Sequence, residues 1–136
     1  MKPITVVVSV PVADIARTLS FYRDGLGLQI PDSDDKHVVV ELPNLSLFLI
    51  EQSEYATYTR RGGIATSPHP TPGAVVFSCA FDSREAVDRT VEAALQAGGS
   101  VAPYTDADDS YIRYLRDPDG HVWELVCNAT TRAAHC

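Results

Sequence analysis

The chain has 136 residues, of which 45% are hydrophobic and 21% are charged, and this composition predicts one globular domain and excludes a disordered chain. The formal net charge of −7 argues against nucleic acid and anionic membrane surfaces as main partners, because both would repel the protein. The apolar runs are far shorter than a membrane span, and the first ten residues, "MKPITVVVSV", lack the cleavage site of a signal peptide.

The three cysteines form neither a CxxC pair nor an even set, so they predict neither a metal knuckle nor a disulfide framework. Cys79 and Cys127 lie in apolar, strand-like runs, where a thiol is usually buried and inert. Cys136 is the last residue of the chain. A reducing cytoplasm is therefore the expected location.

The first half of the chain contains strand and helix patterns in alternation. "TVVVSV", residues 5–10, is a valine-rich run that predicts a strand. Asp14 stands where a helix N-cap is expected, and "GLG", residues 25–27, ends that helix. The helix repeats its apolar residues at steps of four, three and four: Ile15, Leu19, Tyr22 and Leu26.

Two further strands are predicted at residues 37–42 and 45–50, joined by the turn Pro43–Asn44. Residues 53–58 predict one or two helical turns. The following segment, residues 60–73, contains three prolines and three glycines and is interpreted as a linker or lid.

The second half repeats the pattern of the first. Residues 74–81 predict a strand, and Asp82 with Glu85 has the spacing of a capping box that begins a helix. That helix carries its apolar residues on one side and ends at Gly98 and Gly99; these are Val87, Val91, Ala94 and Leu95. Residues 110–115 and 121–126 predict two strands, and the tight turn "DPDG" lies between them.

Strand, helix and strands thus occur twice, offset by roughly 68 residues. Two such modules, about 4–59 and 74–128, separated by the linker and followed by a frayed tail at 129–136, predict a single α+β domain.

Strand parity sorts the side chains of the predicted strands into two faces. In the strand after the linker, large residues such as Phe77 alternate with a smaller set that includes Val76 and Ser78. In the first strand, Val7 and Ser9 share a face. Faces with small residues leave room for a ligand-binding cavity, although a tightly packed barrel interior would give the same pattern.

Glu124 is the unusual residue of the last strand, because parity places it with Val122 and Val126, opposite Trp123 and Leu125. A carboxylate on an interior face needs a metal, a hydrogen-bonding or cationic partner, or a raised pKa that keeps it neutral. Alternatively, the strand lies at the edge of its sheet and Glu124 is hydrated.

Two segments, "VPVADIARTLSFYRDGLGL" and "DPDGHVWELV", resemble the vicinal oxygen chelate superfamily, which includes glyoxalase I, extradiol dioxygenases and bleomycin-resistance proteins. The resemblance extends over residues 4–128. It implies two βαβββ modules that form a partly open mixed β-barrel around a central cavity, often in a homodimer. Residues 45–58 and 81–99 resemble a bacterial subgroup labelled predicted lactoylglutathione lyase.

The resemblance also implies where metal ligands would lie in metal-dependent members, namely on the first and last strands of each module. The corresponding residues here are Val7, Phe48, Val76 and Glu124. Only Glu124 can bind a metal ion, and none of the histidines is placed to complete a set of ligands; these are His37, His69, His121 and His135. We therefore expect neither a metal site nor another cofactor.

Without a metal, Arg113 on the preceding strand is the expected counter-ion of Glu124. If Glu124 were isolated instead, it could act as a catalytic general acid or base. Tyr55, Tyr58, Arg60 and Arg61 flank the linker and could either form a lid or belong to the ordinary surface.

The sequence therefore predicts a metal-free protein that binds a small organic ligand in its cavity. The predicted ligand-binding residues are Val7, Ser9, Phe48, Val76, Ser78, Arg113 and Glu124. The alternatives are an enzyme that uses Glu124, either a metal-dependent lyase resembling lactoylglutathione lyase or one resembling an extradiol dioxygenase, and a protein with a filled cavity that acts through protein contacts.

Overall fold

The computed structural model describes residues 1–65, 73–104 and 110–130. The chain divides into two units, Met1–Thr71 and Pro72–Cys136, and each has a four-stranded mixed sheet with helices. The predicted α+β class and its two βαβββ modules are confirmed.

The first unit follows the order strand, helix, three strands, with one additional helix at its end. Its sheet has the order β1-β4-β3-β2, in which β1 and β4 are parallel and the other pairs are antiparallel. The elements are β1 Val7–Val12, α1 Ile15–Leu19, a π-helical turn Ser20–Gly25, β2 Gln29–Ser33, β3 His37–Leu42, β4 Leu45–Glu51 and α2 Gln52–Arg61.

The second unit repeats the order of one strand, one helix and three strands. Its sheet has the order β5-β8-β7-β6, with β5 and β8 parallel and the remaining pairs antiparallel. The elements are β5 Val76–Ala80, α3 Arg84–Gln96, β6 Ser100–Val101, β7 Tyr111–Arg116 and β8 Val122–Cys127. In both units the last strand lies between two neighbours, so its residues are flanked on both sides.

Side-chain oxygens begin the helices. Asp14 caps α1 as predicted, because its carboxylate accepts a hydrogen bond of 2.8 Å from the amide of Arg17. The cap of α3 was predicted one residue too early: the hydroxyl of Ser83, rather than the Asp82 carboxylate, accepts from the Ala86 amide at 3.1 Å. The serine is the residue with extended backbone angles, which the N-cap position requires.

Glu51 connects β4 to α2, since it is the last residue of the strand and also the N-cap of the helix. Its carboxylate accepts from the amides of Ser53 at 3.1 Å and Glu54 at 3.3 Å, and the Lys36 ammonium lies 3.5 Å away. These contacts, led by the Ser53 hydroxyl, lower the pKa of Glu51 from 4.5 to about 2. The helix is longer than predicted and includes Arg60 and Arg61, which sequence reading placed in the linker.

The core of the first unit lies between its sheet and the first helix. The cross-strand register places Val10 and Val38 on either side of Leu49, and α1 packs against β3 and β4. The helical segment contributes Thr18, Phe21 and Tyr22, which are almost fully buried, whereas Ile15, Leu19 and Leu26 are only half-buried.

The predicted apolar face of the first helix was therefore partly wrong: the buried residues Thr18, Phe21 and Tyr22 are spaced i, i+3 and i+4 and form a neighbouring face of the helix. The helix widens into a π turn at Ser20–Gly25, where the Leu26 amide bonds to the Phe21 carbonyl five residues earlier at 2.9 Å. The wider spacing lies between Phe21 and the half-buried Leu26.

The sequence also missed the two outer strands, β2 and β6. β2 contains Pro31 and mostly exposed residues, and β6 has only two residues. Much of the predicted linker, residues 66–72, lies outside the described residues, as does the end of the predicted tail, residues 131–136. Among the described residues, no helix has both the length and the apolar character that a membrane crossing requires.

Candidate functional site around Glu124

The sheet of the second unit has one face against α3. The Tyr111 hydroxyl donates to the carboxylate of Asp88 on α3, and the Arg84 guanidinium lies 5.1 Å from the Tyr111 ring. Residues that share the parity of Tyr111 therefore point toward the helix. They include Leu115 and Trp123, which are 1% and 3% exposed.

The opposite face carries Glu124 and is called the Glu124 face below. Strand register arranges its residues in three rows that cross β5, β8 and β7. The rows are Val76–Val122–Arg116, Ser78–Glu124–Tyr114 and Ala80–Val126–Ile112. A polar row thus lies between two rows that are mainly aliphatic.

Glu124 is held by two hydroxyl groups. The Ser78 hydroxyl donates to its Oε1 at 3.0 Å, and the Tyr114 hydroxyl donates to its Oε2. The side chain is half-buried, and β8 is an interior strand of its sheet, so the alternative that Glu124 lies on an edge strand is wrong. Of the two partners, Ser78 is among the predicted ligand-binding residues, whereas Tyr114 is not.

The surroundings of Tyr114 favour the protonated phenol, which donates a hydrogen bond. Its hydrogen bond to Glu124, followed by partial burial and the repulsion between a phenolate and that carboxylate, raises the pKa of Tyr114 above 10.0. The phenol therefore keeps its proton at neutral pH and directs it at Glu124.

Arg113 is not the counter-ion of Glu124, and this prediction was wrong. Arg113 pairs in register with Leu125, which places it on the α3 face, whereas Tyr114 is the residue opposite Glu124. The Arg113 guanidinium lies 5.5 Å from the Tyr104 ring, and its buried Nε has no hydrogen-bond partner among the described residues. Arg113 is therefore removed from the candidate site.

In the first unit, the predicted ligand-binding residues also share one face. Ser9 pairs with Phe48 and Val7 pairs with Ser46, all on the side opposite the buried core. Val7 is 40% exposed. The structure thus brings Val7, Ser9 and Phe48 together in the first unit. It brings Val76, Ser78 and Glu124 together in the second unit. That these residues bind a ligand stays a prediction.

Comparison with known protein families identifies the superfamily of this chain. The model of the Glyoxalase/Bleomycin resistance protein/Dioxygenase superfamily matches residues 4–125. This chain belongs to that superfamily. A search of curated proteins finds no match to the sequence.

Several solved structures share the fold of this chain. A hypothetical protein from S. aureus is 23% identical, with a TM-score of 0.79 over 93% of this chain and 95% of that chain. Lactoylglutathione lyase from Agrobacterium tumefaciens is 22% identical, with a TM-score of 0.66 over 93% and 95%. The fosfomycin resistance protein FosX from Listeria monocytogenes is 18% identical, with a TM-score of 0.69 over 97% and 99%. At these identities the comparisons show the fold alone.

The donor groups of this superfamily member do not fit a metal ion at the four positions implied by the resemblance. Val7, Phe48 and Val76 have no ligating atom, and both oxygens of Glu124 accept hydrogen bonds from hydroxyls. Among residues 1–65, 73–104 and 110–130, no group of three or more His, Cys, Asp or Glu side chains could hold a metal ion.

The described histidines have other surroundings. His37 Nδ1 lies 3.1 Å from an Asp34 carboxylate oxygen, and its Nε2 lies 3.1 Å from the Tyr58 hydroxyl on α2. His121 is buried, and its amide donates to the Asp117 carboxylate in the β7–β8 loop at 2.9 Å. His69 and His135 lie outside the described residues.

The burial predicted for the two described cysteines is complete at Cys127 and partial at Cys79, and their lack of reactivity stays a prediction. Cys127 is buried. Cys79 is half-buried on β5, and burial raises the pKa of its thiol. Neither thiol faces the same side as Glu124, because Cys79 pairs with Leu125 and Cys127 with Tyr111.

Proposed function

We propose that this superfamily member binds a small organic ligand on the Glu124 face and that it does so without a metal ion. The observation that carries the proposal is the polar row itself: a half-buried carboxylate that is oriented by two hydroxyls, Ser78 and Tyr114. A carboxylate fixed in this way can direct the orientation of a ligand that contacts it.

The surroundings of Glu124 support binding of a partly apolar molecule. Val76 is 50% exposed and Tyr114 is 41% exposed, and Ala80 is also exposed. Binding sites for small molecules combine apolar surface with a few well-placed polar groups, and this face has that composition. Val7, Ser9 and Phe48 remain predicted ligand-binding residues of the first unit.

The chemistry of the row also supports binding rather than metal-dependent catalysis. A zinc site of the catalytic type needs three protein ligands, and a non-haem iron site needs two histidines and a carboxylate. The four positions implied by the family resemblance supply a single ligating group, the Glu124 carboxylate. The proposal therefore contains neither a lyase step nor a dioxygenase step.

Elemental analysis of the purified full-length protein, followed by a thermal-shift screen of small molecules, tests this function. We expect substoichiometric Zn, Ni, Mn and Fe, and a rise in the melting temperature with at least one organic compound. The same compound should stabilise Glu124→Gln less. Stoichiometric divalent metal that is lost in Glu124→Gln would overturn the proposal and favour the metal-dependent lyase or dioxygenase.

The homodimer implied by the family resemblance and the cytoplasmic location predicted from the cysteines belong to the same proposal. Size-exclusion chromatography with light scattering measures the first, and a mass of one chain at micromolar concentration would contradict it.

A further inference from the structure

We propose that the ligand presents a primary ammonium group to Glu124; this inference rests on the proposed function, because it names the chemical class that the Glu124 face recognises. Three features of the face support this inference: the direction of the hydrogen bonds within the polar row, the charge around that row and the composition of the two neighbouring rows.

The first step is that the polar row offers only acceptors. A hydroxyl group carries one hydrogen, and an ionised carboxylate carries none. The hydroxyls of Ser78 and Tyr114 both donate that hydrogen to Glu124. The four oxygens of the row can therefore only accept from a ligand, and the complementary ligand group must be rich in N–H or O–H donors.

The second step concerns the charge of Glu124, for which the described residues supply no ion-pair partner. Within the described parts of the chain, no lysine, arginine or histidine forms an ion pair with it. Arg113 lies on the other face, and Arg116 lies in the neighbouring row with Val122. The net charge of −7 also favours a cationic ligand over an anionic one.

The third step selects among cations. An ammonium group has three N–H donors and no acceptor, so it can contact the carboxylate and a hydroxyl oxygen together. A quaternary ammonium has the charge but no N–H donor, and an alcohol has a donor but no charge. A primary ammonium group therefore matches both the acceptor row and the charge of Glu124.

The fourth step places the apolar part of the ligand. Successive rows on one face are separated by two residues along a strand, which is about 7 Å. The row of Ala80, Val126 and Ile112 is entirely apolar, whereas the other neighbouring row ends in the cationic Arg116. An ammonium ligand should therefore extend over Ala80 and Val126, away from the like charge.

The test is a nuclear magnetic resonance titration of the full-length, nitrogen-15-labelled protein with four probes that share one apolar ring. The probes are benzylamine, benzyltrimethylammonium, benzyl alcohol and phenylacetate. We expect benzylamine to shift the amide signals of residues 78–80, 114 and 124–126, with an affinity at least about tenfold higher than that of the other three probes.

Two variants sharpen the comparison. Glu124→Gln keeps the shape but removes the charge and should weaken benzylamine binding at least about tenfold. Glu92→Gln makes the same charge change on α3, where Glu92 accepts a bond from Gln96, and should leave binding unchanged. If Glu124→Gln fails to fold, the ranking of the four probes on the unmodified protein still decides the inference.

The outcomes separate the two proposals. Benzylamine preference that depends on Glu124 supports both. Equal or tighter binding of the alcohol, the acid or the quaternary amine at the same residues overturns the ammonium inference and leaves the proposed function standing. Absence of shifts on the Glu124 face with every probe, while an unrelated compound from the thermal-shift screen binds elsewhere, overturns both.

Discussion

Tyr114 and Glu124 are cross-strand neighbours, and the phenol hydroxyl of the first donates to the carboxylate of the second. The pair lies at the centre of the face turned away from α3, with Ser78 on the other side of Glu124. Ionisation of the phenol would replace a hydrogen bond by the repulsion of two anions, and this is why the pKa of Tyr114 is raised.

Replacing Glu124 by glutamine should lower the pKa of Tyr114 toward its usual value of 10.0, because the hydrogen bond to a charged acceptor and the repulsion are both lost. The measurement is an alkaline titration of tyrosinate absorbance, with Tyr114→Phe subtracted to isolate this residue. Since the folded state holds the proton more tightly than the unfolded state, the stabilisation is complete below pH 10 and is lost as pH rises through the raised pKa. An unchanged titration in Glu124→Gln would contradict the described pair.

Replacing Glu51 by glutamine should lower the free energy of unfolding at pH 7 by about 1 kcal/mol, the usual cost of losing a helix N-cap. The pKa of Glu51 is depressed from 4.5 to about 2 in the folded state, so its contribution is present above pH 4.5 and disappears as pH falls toward 2. Urea denaturation followed by circular dichroism should therefore show a difference between the two proteins that shrinks with decreasing pH. Glu92→Gln serves as the control, and an equal loss in that variant would mean that net charge rather than capping is responsible.

Replacing Ser83 by alanine should destabilise the protein by about 0.5–2 kcal/mol, because the Ala86 amide loses its acceptor. Asp82→Ala, one residue earlier, should change the free energy of unfolding by less than about 0.5 kcal/mol, as is usual for an exposed residue without such a role. Denaturation midpoints of the two variants decide which residue begins α3, and the reverse order would restore the capping box predicted from sequence.

Replacing Arg113 by methionine should leave the tyrosinate titration of Tyr114 and the affinity for benzylamine unchanged. Arg113 lies on the α3 face beside Tyr104, on the other side of the sheet from Glu124. The same titrations used for Glu124→Gln provide the measurement. A change as large as that in Glu124→Gln would show that the arginine acts on the carboxylate after all.

Sequence patterns predicted most of the fold because local chemistry determines it. The valine-rich runs, Asp14 and the turn at Pro43–Asn44 behave as expected, and the parity of β5 and β8 correctly placed Ser78 and Glu124 on one face. The strands that were missed, β2 and β6, have no alternation to detect, since an edge strand with a proline or with two residues buries almost nothing.

The strand pattern alone does not decide whether Arg113 or Tyr114 lies opposite Glu124, because the loop length sets the register. The Asp117 amide bonds to the His121 carbonyl at 3.0 Å, so three residues, 118–120, lie between the ends of the hairpin. Pairing Asp117 with Gly120 instead would place Arg113 opposite Glu124. A three-residue loop and a two-residue loop are both compatible with "DPDG". A register shift of one residue moves every side chain of the shifted strand to the opposite face of the sheet.

This hairpin loop offers a simple evolutionary route to a different specificity. Deletion of one residue from 118–120 would turn a basic side chain toward the acid and turn the phenol away, so that a neutral ion pair would replace an anionic surface. A descendant with such a deletion would lose the proposed attraction for amines without a single substitution, and relatives with shorter loops should therefore be compared by loop length before they are compared by residue identity.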